Sequence, residues 1–567
     1  MLRQPKAQTM KHYRKYLLYY FLLVLMVPNL ALDFTESMSA GAKLCNVLLP
    51  LSAYYVALTR GRNCGRTFWM LFPFVFLGAF QVVLLYLYGQ SVIAVDMFLN
   101  LVTTNTDEAL ELLDNLLPGL FIVAAVYIPP LIMATRMLMR HERLPEDFVR
   151  RERRRSLAAL GLSLILLVVT CVSDNDYELK SELYPVNVCY NAGLAIQRTV
   201  RTDRYAQSSK GFTYHAEATH PAAQKEVYVM VVGETSRACN WSLFGYGRST
   251  NPRLSQDTGV VAFPRTLSES NTTHKSVPML MSPVSALDYD SIYYRKGIVT
   301  AFKEAGFATA FFSNQRRNHS FIDFFGMEAD ACRFIKEDSL PGDANLPDEA
   351  LLGHVADILQ QGARKQFILL HTYGSHFNYR ERYPADKAVF RPDSPTKAEA
   401  RCRNSLLNAY DNTICYTDEF LSKLIALLRR QDADAALLYT SDHGEDIFDD
   451  RRGLFLHASP VPSYYQIHVP FLAWTSDGYR SHHPSVWQSL HNNRMKNVSS
   501  SASFFPTMLE LAGIRSPYRQ DSLSVADSTF TERKRVYLND HNEARPLEHV
   551  GLKPEDFALM KEKGIAF

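Results

Sequence analysis

The stretch Ala435–Thr440 followed by Ser441-Asp-His-Gly-Glu445 is a short apolar run that ends abruptly in acidic and imidazole side chains. A second run of the same kind, Val227–Val232, ends in Gly233-Glu-Thr235 more than two hundred residues earlier. Both runs are rich in β-branched or small apolar residues and are short enough to read as buried strands. Further strand candidates are Ala308–Phe312, Phe367–His371 and Phe471–Thr475. Helical patterns at Tyr293–Glu304, Asp348–Gln360, Lys397–Arg429 and Phe504–Leu511 fall between them. Strands alternating with helices imply a mainly parallel sheet covered by helices on both faces, with the chemistry gathered beyond the carboxyl ends of the strands.

Several metal-ligating residue types stand at those ends. Glu234 and Thr235 follow the first strand, Asp442 and His443 the fourth; His376 comes five residues after the third, and His457 follows the loop Asp446–Leu456. Two carboxylates and three imidazoles form a donor set suited to one or two zinc ions. A single histidine is more often structural than ligating; here several candidates share the same strand-end placement. Nearby, Ser268-Glu-Ser-Asn-Thr-Thr-His-Lys-Ser-Val-Pro278 offers five hydroxyls, on Ser268, Ser270, Thr272, Thr273 and Ser276, at a loop-to-helix junction. A hydroxyl placed there can be activated by a metal while helix amides hold an anion, but the same residues also make an ordinary helix cap. Residue chemistry alone does not rank the five.

The chain upstream is of another kind. The apolar fraction is 47% over 567 residues, yet the long uncharged runs nearly all precede residue 172: Tyr16–Leu32, Leu44–Leu58, Phe68–Tyr88, Leu117–Thr135 and Leu157–Val172. A helix needs about 20 residues to cross a bilayer, so the second and fifth must extend through their weakly polar flanks. Basic residues cluster before the first run (Arg3, Lys6, Lys11, Arg14, Lys15), between the second and third (Arg60, Arg62, Arg66), and between the fourth and fifth (Arg136 through Arg155). The alternate loops carry Asp33 and Glu36, then Asp96, Asp107, Glu108, Glu111 and Asp114. Five spans with an inward N-terminus put every basic segment on one side, as the positive-inside rule requires. Five buried helices of a soluble protein would not produce that alternation.

The expected organisation is a five-helix transmembrane domain over 1–172, an amphipathic linker over 173–225 that includes Val188–Val200, and an α/β catalytic domain over 226–567. Asn100, Thr104 and Glu108 recur every fourth residue, forming a polar stripe on one helix face, either an ordinary hydrated surface or a cover for a site at the membrane. A net charge of +3 without an aromatic-interleaved basic stripe or zinc-finger spacing argues against nucleic acid as a partner.

Taken together, Val232-Gly-Glu-Thr-Ser-Arg237, the Thr-Thr-His-Lys-Ser-Val-Pro run, Asn408-Ala-Tyr-Asp-Asn412 and Ser441-Asp-His-Gly-Glu445 with His457 resemble the bacterial inner-membrane phosphoethanolamine transferases. The catalytic domain of that family has the alkaline phosphatase/sulfatase fold. The resemblance implies zinc held by Glu234, Asp442 and His443, and Thr273 as both nucleophile and metal ligand. It gives His376 and His457 roles with the phosphoryl group, the acceptor or a second metal. Asn100, Thr104 and Glu108 align with residues that handle the lipid substrate; Lys275 and Arg237 are nearby candidates for anion contact. The implied donor is phosphatidylethanolamine and the implied acceptor a lipopolysaccharide-type glycolipid (lipid A, Kdo or a core sugar). The implied location is the bacterial inner membrane, with a cytoplasmic N-terminus and a periplasmic catalytic domain.

The chain departs from the family in one respect. Members that modify lipid A commonly bracket the nucleophile with a disulfide, where this chain has Glu269 and Met279. Five cysteines (Cys189, Cys239, Cys332, Cys402 and Cys415) fall outside the expected membrane, an odd number that leaves at least one unpaired within the chain. Phosphoglycerol transfer, or ester hydrolysis on the same fold, is the nearest enzymatic alternative. A formylglycine sulfatase is disfavoured because neither Cys-x-Pro-x-Arg nor Ser-x-Pro-x-Arg stands near Thr273. A non-catalytic membrane scaffold would not need an intact ligand set. Glu445 reads as a structural carboxylate.

Overall fold

The structure, a computed structural model, describes residues 4–89, 91–103, 106–175, 177–340, 345–394 and 399–567, with side chains described except at 4–13, 88, 100–103 and 106–115. Of the polar stripe, Thr104 and the side chains of Asn100 and Glu108 lie outside the described residues. The chain divides into two compact units, Met1–Leu101 with Leu112–Gln197, and Val102–Glu111 with Arg198–Phe567.

Among the described residues of the first unit, four helices are long and apolar enough to cross a membrane: Arg14–Thr35, Ala40–Leu58, Leu116–Met139 and Glu146–Ser173. The count rises to five if Cys64–Met70 and Phe72–Leu87, bent by 63° at Leu71, form one span. Pro73 sits at the start of the second half of that pair, where its missing N–H costs nothing. The two short apolar runs do lengthen, the last one by taking the basic cluster Arg150–Arg155 into its first turns. There Glu152, 1% exposed, accepts from Arg151, Arg155 and Tyr55.

Ala40–Leu58 and Glu146–Ser173 pair through a ladder of small polar residues. Cys45 meets Thr170 at 3.3 Å, Ser52 meets Ser163 at 2.8 Å, and Thr59 meets Ser156 at 3.1 Å. Each side of the ladder steps by seven residues while the partner number falls as the first rises, so the helices are antiparallel and keep one seam in contact. Small hydroxyl-bearing residues suit that seam because they allow close approach and satisfy one another away from water.

The second unit is built on a seven-stranded sheet. Its strands are β1 (Glu226–Gly233), β2 (Val260–Ala262), β3 (Ala308–Ser313), β4 (Ala331–Phe334), β5 (Lys365–His371), β6 (Asp434–Ser441) and β7 (Phe471–Thr475). The order across the sheet is β2-β7-β6-β1-β5-β3-β4. From β6 to β4 all pairings are parallel, whereas β7 runs antiparallel to both β6 and β2. The two outer strands β2 and β4 are only three and four residues long, and β4 carries two exposed positions, so neither presents a strand-length apolar run.

Every residue of β1 and β6 is buried, as central strands covered on both faces require. One face packs against Phe302, which stacks on Phe367 at 3.7 Å, and against Phe504, Phe505 and Leu509. Tyr205, Tyr214 and Ala216 belong to that same core, so this unit's packing starts upstream of Glu226. The helical pattern expected from Lys397 begins at Arg403 and runs to Arg429. The one expected over Tyr293–Glu304 is a 3-10 turn ending at Tyr293, then a helix over Ile298–Glu304.

Candidate metal and nucleophile site

Register builds the site. β1 and β6 are adjacent and parallel with Gly233 opposite Ser441, so Glu234 and Asp442 leave the sheet side by side. The peptide after Glu234 is strained: Thr235 has φ 59°, a left-handed conformation that a β-branched residue rarely adopts. That turn lets one residue hold both carboxylates. The Thr235 N–H donates to Asp442 Oδ1 at 3.0 Å and its hydroxyl to Glu234 Oε1 at 2.7 Å. The chain leaving β5 presses against the same turn. Gly374 has φ 51°, and a Cβ there would lie 2.5 Å from the Glu234 carbonyl oxygen.

Glu234, Asp442 and His443 place one donor atom each within 4.8 Å of one another, all buried. His443 Nε2 lies 3.2 Å from Asp442 Oδ2 and 3.5 Å from Glu234 Oε1. Thr273 Oγ1 completes the group, 3.1 Å from His443 Nε2 and 3.3 Å from Glu234 Oε1. Thr273 is the first residue of the helix Thr273–Leu280, so its hydroxyl stands beside amides that lack helical partners. The other four hydroxyls of that segment serve the loop itself. Ser268 donates to the carbonyls of Ser270 and Asp442, Ser276 to that of Ser270, and Ser270 pairs with Thr272.

The pocket fits a cation. Asp442 Oδ2 is buried and lies in no hydrogen bond, and an uncompensated buried carboxylate is costly. Burial accordingly pushes Asp442 up to about 7 and neighbouring Glu445 up to about 8. It also pushes His443 down to about 3, keeping that ring neutral. The His443 Nδ1–H donates to the Gly444 carbonyl at 2.9 Å, so the Nε2 lone pair faces the carboxylates, the tautomer a metal ligand needs.

His457 and His376 stand beside this group. The His457 ring is 4.1 Å from that of His443 and 6.0 Å from that of His376. Burial lowers His457 to about 4. Lys275 is 2% exposed and donates to the Asn539 carbonyl at 3.0 Å. Arg237, expected as an anion contact, is instead 2% exposed and used internally: it donates to Asn240, to the Glu445 carbonyl and to Asp449. It ties the segment after Asp442 to the helix Arg403–Arg429 through the chain from Asn240 to Asp411.

Two further residues were not expected in the site. Glu445, read as structural, approaches His457 Nδ1 at 3.2 Å and keeps Oε1 out of any hydrogen bond. Gln315 donates to Glu234 Oε2 at 3.2 Å and to the Thr372 carbonyl. It follows β3 by two residues, so the strand-end reasoning applied to the other strands finds it too. All eight cysteines are free thiols, and Glu269, in the place of one bracketing cysteine, pairs with Arg533 and accepts from Ser499 and Ala286.

The sulfatase family model matches residues 226–514, half of the chain, and the chain belongs to that family. Within it, the chain is a membrane-associated protein whose catalytic domain is homologous to phosphoethanolamine transferases of the EptA type. It is 34% identical over 309 residues to phosphoethanolamine transferase EptA of Salmonella typhimurium (strain LT2), covering 52% of this chain and 55% of that one. It is 30% identical over 281 residues to the Kdo(2)-lipid A phosphoethanolamine 7''-transferase of Escherichia coli K12, covering 48% and 47%. The chain thus spans about half the length of the curated relatives it matches.

Among solved structures, the soluble domain of lipooligosaccharide phosphoethanolamine transferase A from Neisseria meningitidis is 29% identical. It superposes with a TM-score of 0.51, covering 55% of this chain and 95% of that one. The integral membrane form of that enzyme covers 90% of this chain and 97% of its own at a TM-score of 0.70 and 23% identity, a likeness of fold.

Proposed function

We propose that the chain transfers phosphoethanolamine from phosphatidylethanolamine to a hydroxyl or phosphate of a cell-envelope glycolipid, with Thr273 carrying the group between the two. The observation that carries this reading is the Thr273 hydroxyl at a helix start, within 3.3 Å of both Glu234 and His443. The likeness to relatives named as phosphoethanolamine transferases, one of them acting on Kdo(2)-lipid A, supports this choice of group and acceptor class.

Glu234, Asp442, His443 and Thr273 would hold one zinc ion, the metal suited to mixed imidazole and carboxylate ligands. Zinc bound there supplies a lower pKa for the Thr273 hydroxyl and positive charge for the phosphoryl oxygens. Thr273 Oγ then attacks phosphorus, and the bond from phosphorus to the diacylglycerol oxygen breaks. The helix amides at Thr273 and the next residues stabilise the charge on the non-bridging oxygens. As neutral rings, His376 and His457 would take the Thr273 proton and pass it to the departing diacylglycerol oxygen, then take the acceptor's proton and return it to the Thr273 oxygen. In the second half the acceptor oxygen attacks phosphorus and the Thr273 O–P bond breaks, restoring the hydroxyl.

Expression in a bacterium whose surface glycolipids lack phosphoethanolamine, followed by mass spectrometry, tests this. The wild-type chain adds one phosphoethanolamine mass; Thr273→Ala adds none while keeping the protein folded. A wild-type increment from Thr273→Ala rejects the nucleophile. A folded wild-type protein that releases free phosphoethanolamine and modifies no lipid is a hydrolase instead.

A further inference from the structure

The two strands that deliver Glu234 and Asp442 also begin with carboxylates. Glu226 opens β1, Asp434 opens β6, and the two residues are register partners. They lie at the other end of the sheet, eight strand residues and roughly 26 Å from the metal and nucleophile site. Three histidines converge on them. His220 Nδ1 is 2.5 Å from Glu226 Oε1. His483 Nε2 is 3.7 Å from Asp434 Oδ2, and His482 Nδ1 is 2.8 Å from the same oxygen. Donor atoms of His220, Glu226 and His483 all lie within 4.8 Å of one another. We infer that this cluster is a second, structural transition-metal site, with His220, Glu226 and His483 as its ligands, Asp434 beside them, and zinc as the ion its chemistry suits.

The surroundings are built to aim these groups. Lys365 lies 2.7 Å from Glu226 Oε2 and Tyr228 donates to Glu226 Oε1 at 2.9 Å, so the carboxylate is fixed with Oε1 toward the histidines. The His220 and His483 rings stack at 4.2 Å and 26°. His220 is seated over Gly513, where a Cβ would fall 2.3 Å from Nε2, so any other residue there would expel the ring. The Gln224 amide donates to Asp434 and sits 3.3 Å from His483 Nε2, marking that nitrogen as a lone-pair acceptor. Burial lowers the His483 pKa in the same sense.

Glu226 is fully buried, but the His220 and His483 side chains keep 13% and 14% exposure, enough for an ion to enter. Two imidazoles and one carboxylate fill three of the four positions of a tetrahedral ion, and Asp434, 3.7 Å from His483 Nε2, stands beside the fourth. Such an ion would join the starts of β1 and β6, His220 ahead of β1 and the start of the helix Pro484–Asn493.

The full-length protein in detergent tests this through metal counting after equilibration with buffered zinc. His220→Gln/His483→Gln should hold one zinc per chain fewer than wild type. Asp442→Asn/His443→Gln, altered only at the opposite end, should still hold one. Should the first variant fail to fold, cobalt loading of the second decides, since tetrahedral cobalt gives an intense visible band. The inference is overturned if the folded first variant keeps the wild-type zinc count, or if the second binds neither zinc nor cobalt. None of these measurements depends on lipid transfer, so they stand or fall apart from the Thr273 experiment.

Discussion

Thr235 is the residue on which the geometry of Glu234 and Asp442 turns, because its amide and hydroxyl each fix one of them. Removing the hydroxyl leaves the backbone contact but takes from Glu234 Oε1 its 2.7 Å donor, leaving the longer contact from Thr273 at 3.3 Å. Thr235→Ala should therefore weaken metal binding by about 10- to 100-fold, the usual effect of losing a partner that orients a ligand. Thr235→Ser should stay close to wild type. Competition titration with a zinc chelator measures both, and an unweakened Thr235→Ala variant would remove Thr235 from this role. The sequence displayed Glu234, Asp442 and His443 because acidic and imidazole side chains stand out at the end of an apolar strand. Thr235 stood at the same strand end, but its task of holding both carboxylates depends on a positive φ that its residue type does not announce; Gln315 stands two residues after β3, a strand end where an amide attracts less notice than a carboxylate.

At the scale of elements, the antiparallel β7 is stitched to its surroundings by His468, just ahead of it. The Tyr464 hydroxyl donates to His468 Nδ1 at 2.8 Å and the Nε2–H donates to the Pro264 carbonyl at 2.9 Å, a fully satisfied neutral ring. Burial lowers its pKa to about 4 from an ordinary 6.5. The unfolded chain takes up this proton below pH 6.5 and the folded chain only near pH 4. The stability contributed is thus present above 6.5 and lost as the pH falls through that window, by about 3 kcal/mol at most. Thermal unfolding of wild type against His468→Gln should show the stability difference between them shrinking from pH 7 to pH 4; a difference that stays constant would refute the assignment. The central strands were legible from their apolar runs and their order of appearance, but the edge strands β2 and β4 were not. A three-residue strand such as β2 is too short to read as a run even though all of it is apolar, and β4 adds two exposed positions to four residues.

At the scale of the whole molecule, the charge alternation between apolar runs reads as a cytoplasmic N-terminus and an outward catalytic unit. Protease added to intact spheroplasts should then release a fragment bearing residues 226–567; protection until the cells are opened would reverse the orientation. The number of spans was less legible than their existence, because the bend at Leu71 divides one apolar run into two helices.

Thr235 and Asp442 are hydrogen-bonded although 207 residues separate them in sequence. Contacts of such long range form late, after the loop between them has been closed at an entropic cost. The complete metal site accordingly cannot exist before β6 has docked beside β1, whatever the state of the helices in between. An ion held by Glu234, Asp442 and His443 would in this sense proofread the fold, because a chain that stalls with an open sheet does not bring those three side chains together.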